Sequence, residues 1–211
     1  MEIPVLVEET CGIAAGANAI TLYNLGSYGT PQKGGGLLLT PYEVLHLAER
    51  GKIKPMDKNK KLLTEIELYA MFAKSDPDFS DRYMVYKDLR NRGHVINQGS
   101  GSTFFFRLYD KGVKIFNASA RYYVRPLREG DAIQIKDLDY LLELATSSKK
   151  KLVIGLVDAL GDISYLIVDE YKVEKNKENH GFDTFSNFDW KEHLKKMAKL
   201  AKGQVTKKKK N

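Results

Sequence analysis

Residues 104–124 read FFFRLYDKGVKIFNASARYYV, and the fold turns on what this stretch is. Apolar and polar residues alternate along it, which is the signature of β-strands with one face buried. Strands are expected at Phe104–Tyr109, Val113–Phe116 and Tyr122–Arg125. Upstream, Arg82–Arg92 has the spacing of an amphipathic helix with Met84, Val85 and Leu89 inward and Gly93 as its stop. A strand is expected to follow at His94–Asn97. Downstream, Leu138–Ser147 reads as a second helix, with Leu141, Leu142, Leu144 and Ala145 apolar. Leu152–Val157 is a continuous apolar run, as in a central buried strand. A turn at Asp158–Asp162 and a partner strand at Ile163–Val168 complete a mixed sheet with helices against it.

The first third of the chain carries a separate pattern. Val5 and Val7 alternate with polar neighbours, and Asn18–Tyr23 reads as a further β-segment. Residues 25–36, LGSYGTPQKGGG, are too rich in glycine for a helix and predict turns; no lysine-serine or lysine-threonine pair follows to make them a phosphate loop. Leu37–Leu39 predicts a short strand. Thr40-Pro41-Tyr42-Glu43 places a capping threonine, a first-turn proline and a glutamate three residues on, a strong helix start, with Gly51 as its stop. After a lysine-rich segment at Lys52–Lys61, a helix is expected over Leu62–Lys74 with Leu62, Ile66, Tyr69, Ala70 and Ala73 on its apolar face. Asp76-Pro77-Asp78 breaks it. The expectation is an α+β chain: a small N-terminal α/β domain (1–77), a second domain with a central mixed sheet (78–172) and a basic extension (173–211), part helical at Asp189–Lys202 and disordered at its end.

Composition narrows the function classes. The formal net charge is +7 over 211 residues. From Lys172 onward 12 lysines face five acidic residues, while the preceding residues carry 22 basic and 22 acidic side chains. Lys207, Lys208, Lys209 and Lys210 end a tail whose charge suits a polyanion such as RNA. The single cysteine, Cys11, excludes an internal disulfide or a cysteine cage for a metal. No apolar run reaches the roughly 18 residues of a membrane span, and the acidic N-terminus lacks the pattern of a signal peptide, so a cytoplasmic protein is expected. His46, His94, His180 and His193 are scattered and suggest no ligand set; no metal or cofactor is expected.

Three stretches, YNLGSYGTP with GGLLLTPYEVLHLAERGKI (23–53), YMVYKDLRNRGHVI (83–96) and SSKKKLVIGLVDALGDISYLIV (147–168), together resemble the archaeal tRNA-splicing endonuclease family. The resemblance implies a C-terminal domain of restriction-endonuclease-like fold. It also implies metal-free cleavage of precursor tRNA, in which a 2′-OH attacks the neighbouring phosphate to leave a 2′,3′-cyclic phosphate and a 5′-OH. Tyrosine, histidine and lysine share the acid, base and charge-stabilising roles. Tyr109 falls on the tyrosine position and Lys150 on the lysine, with Lys149 and Lys151 as neighbours in register. Counting back from Tyr122 places Ser119 at the histidine position. A serine hydroxyl has no accessible pKa near neutrality, and loss of such an acid/base group forfeits roughly 10²–10⁴ in rate. Glu143 stands where catalytic members carry an arginine that clamps a base, and Gly101–Phe106 replaces the family's loop before the tyrosine.

These departures imply a non-catalytic, structural subunit that partners a catalytic endonuclease chain in a heterotetramer. By the same resemblance, strand edges near the C-terminus pair side by side, and Asp158 and Asp162 anchor an acidic turn in a basic cleft of the partner. The rival expectations are a self-sufficient endonuclease using Tyr109 and Lys150 with a displaced acid/base, and a stand-alone RNA-binding module.

Overall fold

A computed structural model describes residues 2–99, 106–113, 115 and 118–170. The expected helix at Asp189–Lys202, Lys207–Lys210 and most of the Gly101–Phe106 loop lie outside the described residues. The first half runs β1 (Ile3–Glu8), β2 (Cys11–Ala14), α1 (Ala17–Gly26), β3 (Thr30–Pro31), β4 (Leu37–Leu39), α2 (Pro41–Glu49), β5 (Ile53–Met56) and α3 (Glu65–Ser75). Its five strands are ordered β3-β4-β2-β1-β5, with β1 antiparallel to β2 and parallel to β5. Val5 and Val7 alternate into the core as the sequence predicts, and Ile3 joins them.

Helix α2 begins with the predicted capping box. The Glu43 N–H donates to Thr40 Oγ1 at 3.3 Å, and the Thr40 N–H donates to Glu43 Oε2 at 2.8 Å. The other Glu43 oxygen accepts the Gly29 N–H at 2.8 Å. Gly29 has φ +72°, and a Cβ there would stand 2.8 Å from the Leu38 carbonyl oxygen, so only glycine fits this turn.

Several local readings are corrected. Asn18–Tyr23 lies in helix α1, where Ala19 and Leu22, three apart, face the core while Ile20 is exposed; six residues of alternation do not separate period 2 from period 3.6. Cys11–Ala14 and Ile53–Met56 are strands that the small-residue and lysine-rich segments conceal. In α3 the buried residues are Leu68 and Phe72, and Ile66 on the expected apolar face is 82% exposed. That helix starts later than expected because Thr64 caps it with Glu67. Val113 and Ile115 belong to no strand, and residues 114 and 116 lie outside the described residues.

The second half runs α4 (Phe79–Asn91), β6 (His94–Gln98), β7 (Phe106–Lys111), β8 (Tyr122–Arg128), α5 (Ile135–Ser147), β9 (Lys151–Val157) and β10 (Ile163–Val168). Strand order is β10-β9-β8-β7-β6. Neighbours are antiparallel except β8 and β9, which are parallel because α5 carries the chain across. Val153 and Val157 face the main core, and Leu152 faces Leu141 and Ala145 of α5 on the opposite side.

One continuous core joins both sheets through helix aromatics. Tyr42 of α2 stacks on Phe79 of α4 at 5.2 Å between ring centroids and meets Phe106 of β7 edge-on at 5.4 Å. Phe72 of α3 closes on Phe79 at 5.6 Å. At the far end of α4, the guanidinium of buried Arg90 donates to Tyr86 Oη (3.0 Å), the Gly26 carbonyl (2.8 Å) and the Ile96 carbonyl (3.2 Å). It also lies 3.9 Å from Glu43 and 4.1 Å from the centre of the Tyr28 ring.

Burial pushes the Glu43 carboxyl up, against the pull of Arg90 and the Gly29 and Thr40 donors. Removing Arg90 leaves that group and two carbonyls without its partner, so Arg90→Ala is expected to cost about 3–5 kcal/mol in urea unfolding. His46 is buried beside this cluster with both ring nitrogens lacking hydrogen-bond partners among the described residues. Burial, then the charges of Arg90 and Arg50, lower it from 6.5 to about 4. The neutral ring therefore contributes stability that is fully present above pH 6.5 and is lost as pH falls through about 4. His46→Phe should flatten the decline in urea midpoint between neutral pH and pH 4 that the parent protein shows.

Candidate functional site

Tyr109 lies on β7 with its ring buried against Val95 and Ala120, and Ile115 and Ala118 pack on the same cluster. Ser119, between two alanines of that cluster, is exposed. The segment is fixed at both ends of its approach to β8: the Ala118 N–H donates to Ile115 at 3.3 Å and the Arg121 N–H to Leu108 at 3.0 Å. The parallel pairing of β8 and β9 then brings the end of α5 alongside, through the Lys151 N–H donating to the Arg121 carbonyl at 3.1 Å.

The lysine triplet divides by geometry. Lys149 takes up φ 56° and turns the chain out of α5, while the Lys150 N–H still donates to the Ala145 carbonyl at 2.9 Å. Lys149 and Lys151 are exposed. Lys150 turns toward the serine: its Nζ donates to Ser119 Oγ at 3.4 Å and to the Ser148 carbonyl at 3.1 Å, and sits 5.6 Å from the Tyr123 ring centre. The positions of Tyr109, Ser119 and Lys150 are thus assembled on one end of the sheet. The set offers a phenol and a fixed cation for a phosphate. A hydroxyl stands where proton transfer would require a group titrating near neutrality.

His94, which the sequence leaves unassigned, is placed beside this set by the β6–β7 pairing. Its Nδ1 is 3.1 Å from the Tyr109 carbonyl oxygen, and because a carbonyl only accepts, Nδ1 carries the hydrogen. No spacing in the sequence announces this contact. Glu143 lies exposed on α5. Among the described residues no group of three His, Cys, Asp or Glu side chains is placed to hold a metal ion.

The acidic turn separates its two carboxylates. Asp158 Oδ1 accepts the N–H groups of Leu160 (2.8 Å) and Asp162 (2.9 Å), and the Asp158 N–H donates to the Asp162 carbonyl at 3.0 Å. Asp158 therefore builds the turn. Asp162 is exposed and its carboxylate has no ion pair among the described residues. At the tip, Leu160 is 90% exposed.

The comparisons with known proteins agree in both halves. Residues 4–69 match the family model described as tRNA intron endonuclease, N-terminal domain, and residues 79–165 match tRNA intron endonuclease, catalytic C-terminal domain. A tRNA-splicing endonuclease of Pyrococcus abyssi is 33% identical over 153 residues, covering 72% of this chain and 84% of that protein. One from Methanothermobacter thermautotrophicus is 32% identical over 164 residues, 78% of this chain and 94% of the relative. One from Methanococcus maripaludis is 36% identical over 129 residues, 61% and 72% of the two chains. An α+β chain with an N-terminal domain ahead of an endonuclease domain is the class that fold and matches define. The chain belongs to the tRNA intron endonuclease family. Among the described residues no helix is long and apolar enough to cross a membrane.

The geometry of the turn gives its two aspartates different expected behaviour. Asp158→Ala should lower stability by about 1 kcal/mol, because two N–H groups lose their shared acceptor. Asp162→Ala should leave the thermal midpoint unchanged.

Proposed function

We propose that this chain is the non-catalytic subunit of a heteromeric tRNA-splicing endonuclease acting on precursor tRNA. The observation that carries the reading is the Lys150–Ser119 contact at 3.4 Å. The lysine meets a serine in the place where the family resemblance expects an imidazole. The charge for a phosphate is retained and the proton-transferring group is not, so strand scission falls to a partner chain with an intact set.

Two surfaces suit that partner. Strand β10 ends its sheet, with Leu166 and Ile167 exposed and its outer edge unpaired among the described residues; an open edge is a template for another strand. The turn offers the unpaired Asp162 beside the exposed Leu160, a charge for a basic cleft and an apolar contact within it. Under this reading the assembly is a heterotetramer working in the cytoplasm, residues 1–77 and 78–172 are its two folded domains, and Lys207–Lys210 add affinity for RNA. Neither a metal nor a cofactor enters the chemistry.

A self-sufficient enzyme has one observation in its favour, the anchoring of His94 through Nδ1 on the Tyr109 carbonyl, a contact that does not engage Nε2. The two readings part in one experiment. The purified chain should leave intron-containing precursor tRNA uncut, and cutting should appear when a histidine-bearing partner is added. Efficient cutting by this chain alone, abolished by His94→Gln, would establish the second reading instead.

A further inference from the structure

Beside the candidate site is a cleft of about 330 Å³, formed where the turn after α1 faces the β6 and β7 ends. Tyr23, Ser27, Arg50, Arg90, His94 and Val113 are among its lining residues, and none of the described residues lining it is acidic. Its floor is prepared in charge. Arg90 is buried, held by two carbonyls and Tyr86, and among the described residues its one ion-pair partner is Glu43 at 3.9 Å. The mouth adds an uncommitted cation: Arg50 is exposed and enters no ion pair among the described residues, while its neighbour Glu49 is taken by Lys87 at 2.7 Å. His94, with Nδ1 on the Tyr109 carbonyl, keeps its second ring nitrogen for another partner.

We infer that this cleft binds a nucleoside monophosphate unit, with the phosphate at Arg50 and His94 and the sugar and base against Tyr23 and Val113. The volume is at the lower end of the roughly 300–1,000 Å³ of small-ligand pockets, room for a nucleotide and more than a lone phosphate needs. The lining has the matching division: arginine and imidazole for the anion, a phenol ring and aliphatic side chains for the apolar faces.

The cleft adjoins the frame already described through His94, which lines it and has Nδ1 3.1 Å from the Tyr109 carbonyl. Burial and then the charge of the Tyr109 phenol push the Tyr23 phenol up. An RNA strand laid along Tyr109 and Lys150 therefore has a seat for one unstacked nucleotide nearby. That last step rests on precursor tRNA as the substrate; binding of a mononucleotide does not, so the two fail separately.

The test uses the full chain, with uridine 5′-monophosphate, uridine, inorganic phosphate and a five-residue oligouridylate as probes in calorimetric titration. The monophosphate is expected to bind, and uridine about ten-fold or more weakly, through loss of the charge-assisted contacts. Arg50→Ala, at an exposed position, should weaken the monophosphate by a similar factor while leaving the thermal midpoint in place. Tighter binding of the oligouridylate, with the same loss in Arg50→Ala, identifies an RNA strand as the source of the unit; equal binding identifies free nucleotide. Absence of monophosphate binding, inorganic phosphate binding as tightly, or affinity indifferent to Arg50→Ala, as capture by the lysine-rich tail would give, overturns the assignment.

Discussion

Arg90 stands at the crossing point of the molecule, with its charge taken out of water and three N–H groups of its fork each drawn to a different part of the chain. Gly26 brings the end of α1, Ile96 brings β6, Tyr86 comes from its own helix, and Glu43 comes from the start of α2. A buried guanidinium tolerates few arrangements, because desolvation is offset only where each donor finds an acceptor. The two sheets are therefore held in one relation, and the Gly29 turn is drawn in through the second face of Glu43. The aromatic rings and the aliphatic side chains around them supply the apolar burial; Arg90 and Glu43 supply its specificity.

The family-like run Val85–Gly93 takes on a physical meaning from this. Val85 packs on Gly155, where a Cβ would approach it to 3.2 Å. Tyr86 and Arg90 form the buried cluster. Asp88 accepts Tyr165 Oη at 2.7 Å and Arg92 Nε at 2.8 Å, tying α4 to β10 and to its own last turn. Gly93 adopts φ +88° to leave the helix. The stretch that most clearly reveals the family touches no reacting group: it is the part of the sequence that sets the position of everything else.

What sequence reading reaches follows from how local the determinants are. The Thr40–Glu43 box, the Gly93 stop and the Asp158 turn are settled within a few residues and appear where expected. The α1 segment misleads because Asn18–Tyr23 fits two periods, and the packing of Ala19 and Leu22 decides between them. The face of α3 is fixed by Phe72 meeting Phe79, a contact invisible to spacing alone. At the site, Lys150 and Ser119 come into register because the chain resembles its family on both sides of them. His94 and the role of Arg90 depend on strand pairing and on acceptors far away in sequence, and no local signal marks either.

The outer edge of β10, unpaired among the described residues, has a consequence for the chain itself. Leu166 and Ile167 are exposed on a strand whose outer amides and carbonyls have no partner among the described residues, and Leu160 projects from the turn that begins it. Such an edge is a template for any further strand, a second molecule of the same chain included. At high concentration an open edge of this kind carries a colloidal hazard, and whatever covers it also protects the chain from self-association.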